Sequence, residues 1–515
     1  MRITEPWDSY LESLPAAGAQ RASGRRATTL AGTSTDLRSQ LFHSEDRRFL
    51  MNEMWEETDL SSVERTLLEF EISEKEKLGP WSIMFPWEER KDEVYAFDNR
   101  KGMSSVDRRA YAHALESVRA LVPQSSVKPM SLESAWKAIP RNTSKGLPWL
   151  TRDNGVMPKY LRRAEEGIKS DDPEIFPFFL GWRGQAHGIR ISDVRQRIIW
   201  EADKVEALIS ARWLYPMLSR LKLRREFAAW NDLDIVNGAV QDAFKIAEGG
   251  EIYSTDFSGF DASLDEELLS DVFDILLYWS DSGETSQGLR GVKENILSGG
   301  LLSPDGLLGR RPGGLPSGVE FTSLLGTLCN RVSAVYCAYA LGVSHPFGTY
   351  LGDDAINVYR PHPSEDEVAS VISDLGLDQN AEKQYVSREA IHYLQNLYVP
   401  GGKGGMRPLS RALNGMLSYE RYRNPKQWSH AMATMRTIMQ AENCKFHPRF
   451  EEFVKFISRG DGYLTQYPVA HLMKMAGGVK VVRETLGQAQ FQYTSWSIES
   501  ADKFEVSRVL RSLSQ

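Results

Sequence analysis

The chain has little that would tie it together covalently or seat it in a membrane. Its three cysteines in 515 residues, Cys329, Cys337 and Cys444, form no C-x-x-C pair. That excludes a disulfide framework and argues against a zinc site. No apolar run reaches membrane-spanning length and no signal peptide opens the sequence, so it reads as a soluble intracellular protein with no membrane partner. An excess of positive charge is also missing, since the formal net charge is −7. Acidity overall argues against a general nucleic-acid coat, but a phosphate-binding channel needs only local positive potential. The Gly-rich stretch at 313–318 is followed by no Gly-Lys-Ser/Thr, which excludes a Walker phosphate loop there.

At 41% hydrophobic and 25% charged residues, a chain of this length can bury a large core and divides into more than one subdomain. Pro15–Thr35 (PAAGAQRASGRRATTLAGTST) reads as a flexible or extended strap without a core of its own. Residues 60–122 alternate charged and apolar residues in helical fashion, 251–400 alternate short strands with amphipathic helices, and the chain beyond 405 is mostly helical. Cys329 and Cys337 fall in a helical apolar pattern, where packing is their role. Across 183–226 there are ten Lys/Arg against five Asp/Glu, a net of +5 in an acidic chain. Within it, Arg212–Arg225 reads as a solvated charged helix face.

Three segments carry chemistry. YLGDDAINVY (Tyr350–Tyr359) places Asp353 and Asp354 after a glycine and between apolar runs, the pattern of a β-hairpin whose tip needs solvent or a cation between its charges. EIYSTDFSGFDASLDEELLSDVFDILLYW reads as a strand ending at Asp256. Ser263 and Glu266 follow as a capping box, and a helix begins just beyond Asp261. Two such carboxylate groups on separate strands can converge on a pair of divalent cations, and magnesium prefers their oxygens. The third segment runs from Gly313 through Pro316 and Gly318 into a helix on which Thr322, Gly326 and Asn330 share one face. A small-residue loop before a polar helix stripe suits a ribose and a template base.

In the order DFSGFDASL, LPSGVEFTSLLGTLCN, YLGDD, these segments resemble the A, B and C motifs of viral RNA-dependent RNA polymerases. Four more segments resemble that family in its own order: TSKGLP (143–148), RQRIIWEA (195–202), NAEKQ (380–384) and HYLQNLYVPGG (392–402). The form DFSGFD and the compact length look most like picobirnaviruses, with partitiviruses a close alternative. The resemblance implies an α+β right-handed polymerase fold with an antiparallel palm sheet and closed fingertips. Its parts would be a strap (1–60), fingers (61–200), palm (201–264), a fingers insertion (265–311), palm (312–400) and thumb (401–515).

It further implies that Asp256, Asp353 and Asp354 hold two Mg2+ ions, with Mn2+ a substitute, and that Lys383 is a general acid. Asp261 would read the ribose 2′-hydroxyl, Arg195 and Arg197 the triphosphate, Ser317 and Thr322 the ribose network, and Thr143, Ser144, Gly146 and Gly318 the template. Arg183 and Arg190 belong to the same basic stretch. The implied partners are RNA template and product, ribonucleoside triphosphates and a viral capsid protein, in the virion interior or host cytoplasm of a double-stranded RNA virus. Two positions depart from the family pattern: Gly326 stands where many relatives carry Asn, and the neutral Gln395 and Asn396 stand where basic residues often grip the primer. The rival readings are a reverse transcriptase, which usually carries an aromatic at the place of Asp261, and a non-catalytic RNA-binding, capsid-associated protein.

Overall fold

The computed structural model describes residues 2–36, 38–95, 101–140, 143–170, 172–183, 188–194, 196–280, 288–310, 313–379, 384–419, 428–486 and 498–513. Arg195 and Lys383 lie outside them.

A four-stranded antiparallel sheet stands at the centre, in the order Tyr385–Ser387, Ile252–Thr255, Asp354–Arg360, Ser344–Leu351. Side chains of a strand alternate between its two faces, and Asp354–Arg360 shows how this sheet uses them. Ile356 and Val358 point into one apolar cluster with Ala239, Val240 and Ala243 of the helix Leu233–Ala247. Ala355 and Tyr359 face the other way, where Ala355 meets Ala334 of the helix Thr322–Ala340 and Tyr350. Asn357 shares that second face, and its buried amide is satisfied by Thr255 Oγ1, Tyr350 and His345. Cys329 and Cys337 are buried in the same helix, as packing residues.

Through Tyr253 and Tyr359 the second face adjoins the largest apolar cluster, which extends through Phe273, Leu276 and Trp279 of the helix Glu266–Trp279. A five-stranded mixed sheet lies beside it, in the order Ile3–Pro6, Gly306–Leu308, Leu301–Ser303, Phe178–Arg183, Arg197–Glu201. The C-terminal helices, from Leu409–Leu417 to Glu505–Leu513, enclose an apolar cluster of their own, as the helical pattern beyond 405 predicts.

Three expectations need correction. Most of the 15–35 segment is not extended: Ala16–Ala31 is a helix, because Ala and Arg favour helix and the segment has partners, and the extended backbone is confined to the strand Thr33–Asp36. Arg25 pairs with Glu201, Arg26 donates to the Pro304 carbonyl, and Ala22 is fully buried. Residues 39–57 then cross to the C-terminal helices, where Leu50, Met51 and Met54 of the helix Arg47–Glu57 join their core.

The expected capping box is absent as well. A one-turn helix, Phe260–Ser263, intervenes, Ser263 turns back to the Phe260 carbonyl, and Asp265 caps the next helix by accepting from Glu267 N. Nor is Arg212 solvated: it is buried and donates to the Met130 carbonyl.

Candidate active site

The carboxylates converge because two neighbouring strands end together. Thr255 pairs with Ala355, and Asp256 follows at once at the end of its strand. Leu351 pairs with Asp354, leaving Gly352 and Asp353 as a two-residue turn with Gly352 at φ +58°. A glycine takes that left-handed backbone without strain. Asp256, Asp353 and Asp354 therefore stand together at one end of the sheet's two inner strands.

Their electrostatics follow from the proximity. Surrounding protein first, then the charges of Asp353 and Asp256, push Asp354 up to about 7, while Arg411 and Arg197 oppose the shift. Asp261 is likewise pushed up to about 7 by surrounding protein and by Asp353, with Arg197 opposing. Asp261 and Asp353 remain open to solvent, and water screens part of this repulsion. Four acids thus crowd one another, and among the described residues the cations that oppose them are Arg197 and Arg411 on other elements. Arg197 begins the strand Arg197–Glu201, with its side chain exposed.

The donor set fits a hard divalent cation: carboxylate oxygens that repel one another in its absence. Among the described residues no three His, Cys, Asp or Glu side chains form a ready ligand cage. Magnesium does not need one, since it keeps waters and substrate phosphate oxygens in most positions.

Several residues that hold this site were not visible as such in the sequence. Asn330 Nδ2 donates to the carbonyls of Gly352 (2.9 Å) and Asp353 (3.1 Å), and Thr327 Oγ1 accepts from Gly352 N (2.9 Å). The helix Thr322–Ala340 thus clamps the hairpin turn. The Gln384 amide holds the backbone of Asp256 from both sides, with Nε2 donating to its carbonyl (2.7 Å) and Oε1 accepting from its N–H (3.2 Å). Asn330 stood out only as a polar face residue, and Gln384 only as part of NAEKQ; no local pattern encodes a partner on another element.

The other expected residues gather around the strand Arg197–Glu201. Gly318 packs so closely that a Cβ there would lie 1.8 Å from the Trp200 carbonyl oxygen. Gly146, at φ +65°, packs as closely on Ala202, with 2.0 Å left for a Cβ. Ser317 Oγ donates to the Ile198 carbonyl (3.3 Å), and Thr322 Oγ1 lies 2.6 Å from the Pro316 carbonyl, closing its own loop. Thr143 bonds to the Pro140 carbonyl, and Ser144 accepts from Gly146 N. So 143–146, 197–202 and 317–322 converge, although none of these contacts concerns the four acids directly. Gly326 lies over the turn, with its would-be Cβ 3.6 Å from Phe260 and Leu315.

An antiparallel sheet that presents paired aspartates at a hairpin tip, faced by an arginine strand and backed by a glycine-loop helix, defines a nucleotidyl-transferring polymerase. The chain belongs to the viral RNA-dependent RNA polymerases: residues 89–460 match the family described as "Viral RNA-dependent RNA polymerase". It is 27% identical over 427 residues to the "Potential RNA-dependent RNA polymerase" of a human picobirnavirus (strain Human/Thailand/Hy005102/-), covering 77% of this chain and 76% of that one. The RNA-directed RNA polymerase of Cryptosporidium parvum virus 1 (strain KSU-1) is 22% identical over 286 residues, 52% of this chain and 53% of the relative. The crystal structure of a human picobirnavirus polymerase shares the fold at a TM-score of 0.80 and 22% identity, covering 95% of this chain and 96% of that one. The protein is an RNA-directed RNA polymerase, of a family that uses divalent metal ions, with RNA and nucleotides as substrates. Among the described residues no helix is long and apolar enough to cross a membrane.

Proposed function

We infer that Asp256 and Asp353, with Asp354 less directly, hold two magnesium ions for template-directed ribonucleotide addition. When bound, such a pair lowers the pKa of the attacking 3′-hydroxyl and stabilises the leaving pyrophosphate. The observation that carries this reading is the meeting of Asp256, Asp353 and Asp354 at the ends of two paired strands, with Asp261 of the helix Phe260–Ser263 close enough to feel the charges of Asp353 and Arg197. Arg197, with Arg195, neutralises the triphosphate by charge-assisted contacts. Asp261 accepts a hydrogen bond from the ribose 2′-hydroxyl, which a deoxyribose cannot offer. Ser317 and Thr322 support that check, Thr143, Ser144, Gly146 and Gly318 border the template path, and Lys383 gives its proton to the departing pyrophosphate.

The central sheet is the palm on this reading, and the C-terminal helical core is the thumb. The five-stranded sheet belongs to fingers that close onto that thumb. The division is 1–60, 61–200, 201–264, 265–311, 312–400 and 401–515, with the first part a strap built mainly of helix. The enzyme replicates and transcribes a segmented double-stranded RNA genome, and works in the virion interior and host cytoplasm beside a capsid protein.

The test is incorporation of labelled ribonucleotides against deoxyribonucleotides on an RNA template with Mg2+. Ribonucleotides alone should be incorporated, and Asp353→Ala should abolish incorporation without lowering Tm. Equal use of deoxyribonucleotides would overturn the role of Asp261, and retained activity of Asp353→Ala would overturn the metal site.

A further inference from the structure

The basic run at Arg220–Arg225 has no part in the chemistry above, yet it does not simply face solvent. Arg224 and Arg225 form one wall of a cleft of about 730 Å3 behind the central sheet. Its floor is the beginning of the strand Ser344–Leu351, at the far end of the hairpin from the aspartates. Gly348 is the floor residue nearest the turn, and it lies four residues, about 14 Å, along that strand from Gly352. The cleft is therefore separate from the catalytic acids. Its volume is that of a small-ligand site, about 300–1,000 Å3.

The lining sorts the candidate ligands. Arg224 is exposed, gives one hydrogen bond to the Leu121 carbonyl (3.0 Å), and meets no carboxylate among the described residues. Arg225 is balanced by Asp242. Arg331, at the back, donates Nε and Nη2 to Glu226 and Nη1 to Ser117 Oγ, so the acid in the wall is already engaged. The cation left over is Arg224.

His113 and Tyr339 line the same cleft, their rings 4.7 Å apart and tilted by 35°, with Tyr339 49% exposed. They offer an accessible aromatic face. A free guanidinium answers a phosphate and an open ring answers a base. An apolar ligand would leave the guanidinium unused, and an acidic peptide would leave the rings unused.

We propose that this cleft binds a nucleoside polyphosphate, either free or as the phosphorylated 5′ end of an RNA, with its phosphates at Arg224 and its base against Tyr339. The site needs no metal, which separates it experimentally from the catalytic centre.

The test is photo-crosslinking of the full-length chain in EDTA, with the labelled peptides mapped. One probe is azido-ATP. The others are a short oligoribonucleotide with 4-thiouridine at its first position, carrying either a 5′-triphosphate or a 5′-hydroxyl. The peptide containing Tyr339 should be labelled. Arg224→Glu and Tyr339→Ala should each weaken that labelling by about 10-fold, the loss of one charge-assisted or stacking contact. Both substituted residues are exposed and remote from the aspartates, so Mg2+-dependent ribonucleotide incorporation on a primed template should be retained in both variants.

Labelling by azido-ATP alone assigns the cleft to free nucleotide, labelling by the triphosphate oligonucleotide alone assigns it to the RNA end, and labelling by both assigns it to either source. The proposal falls if the Tyr339 peptide is not labelled, if the 5′-hydroxyl oligonucleotide labels it equally well, or if neither variant changes the labelling. It falls also if a polyglutamate peptide displaces azido-ATP better than ATP does, since the cleft would then serve an acidic protein segment.

Discussion

Two glycines separate a space the fold requires from one it merely leaves. A Cβ at 318 would overlap the Trp200 carbonyl, whereas at 326 it would rest at ordinary contact distance from Phe260, Leu315 and the Gly352 Cα. Gly318→Ala must therefore push the loop off the strand Arg197–Glu201. A shift of about 1 Å in a positioning element costs about 100-fold in rate, and that loss should appear in single-turnover incorporation. Gly326→Ala should keep activity and gain up to about 1 kcal/mol from helix propensity, read as a raised Tm. The family resemblance marks both positions, Gly318 for the template and Gly326 for the missing Asn, but nothing in the sequence tells how much room surrounds either one.

No motif or pattern in the sequence marks Glu206. Fully buried, it takes a hydrogen bond from Ser210, and burial pushes its carboxyl up to about 8, with the Glu320 charge adding to the shift. The folded chain thus holds that proton more tightly than the unfolded chain. This stability is complete below the unfolded carboxylate range and is lost as pH rises towards 8. Glu206→Gln should raise Tm at pH 8 by about 2 °C or more and flatten its fall between pH 5 and 8.

At the scale of elements, the hairpin shows what a linear pattern can and cannot convey. Apolar alternation around Gly352-Asp353 was enough to place both strands and the turn, because period and turn chemistry are local properties. What fixes the turn in space, Asn330 and Thr327 on a helix more than twenty residues away, is not local. Asn330→Ala removes two hydrogen bonds to the turn and should lower stability by about 1–2 kcal/mol. Incorporation should slow in single-turnover kinetics more than nucleotide binding weakens, since the acids remain but drift. The N-terminal helix was misread for the complementary reason. Gly, Ser and Thr in 15–35 suggested a loop, while the partners that make it a helix, Glu201 and Pro304, lie far along the chain. The same blindness to distance hid the grip of Gln384 on Asp256, though the aspartate itself was plain.

Across the whole molecule, the N-terminal sixty residues serve two distant bodies, the five-stranded sheet and the C-terminal helices. The second attachment is completed by Glu71 of the helix Arg65–Glu76. Its buried carboxylate accepts from Leu409 N, Ser410 N and Ser410 Oγ at the start of the helix Leu409–Leu417, with His447 3.3 Å away. Glu71→Ala would strand these donors in a dry interior and should cost about 3 kcal/mol or more, seen as a lowered Tm and faster proteolysis. The arrangement also sets a schedule for biosynthesis. Leu50, Met51 and Met54 leave the ribosome early, but the helices that cover them begin at Leu409, some 350 residues later. At translation rates of about 5–20 residues per second, that greasy surface waits roughly 20–70 s for its cover. A nascent chain of this enzyme is therefore a client for chaperones until Leu409 and the helices after it are made, and ribosomes that stall before that point would release a product prone to aggregate.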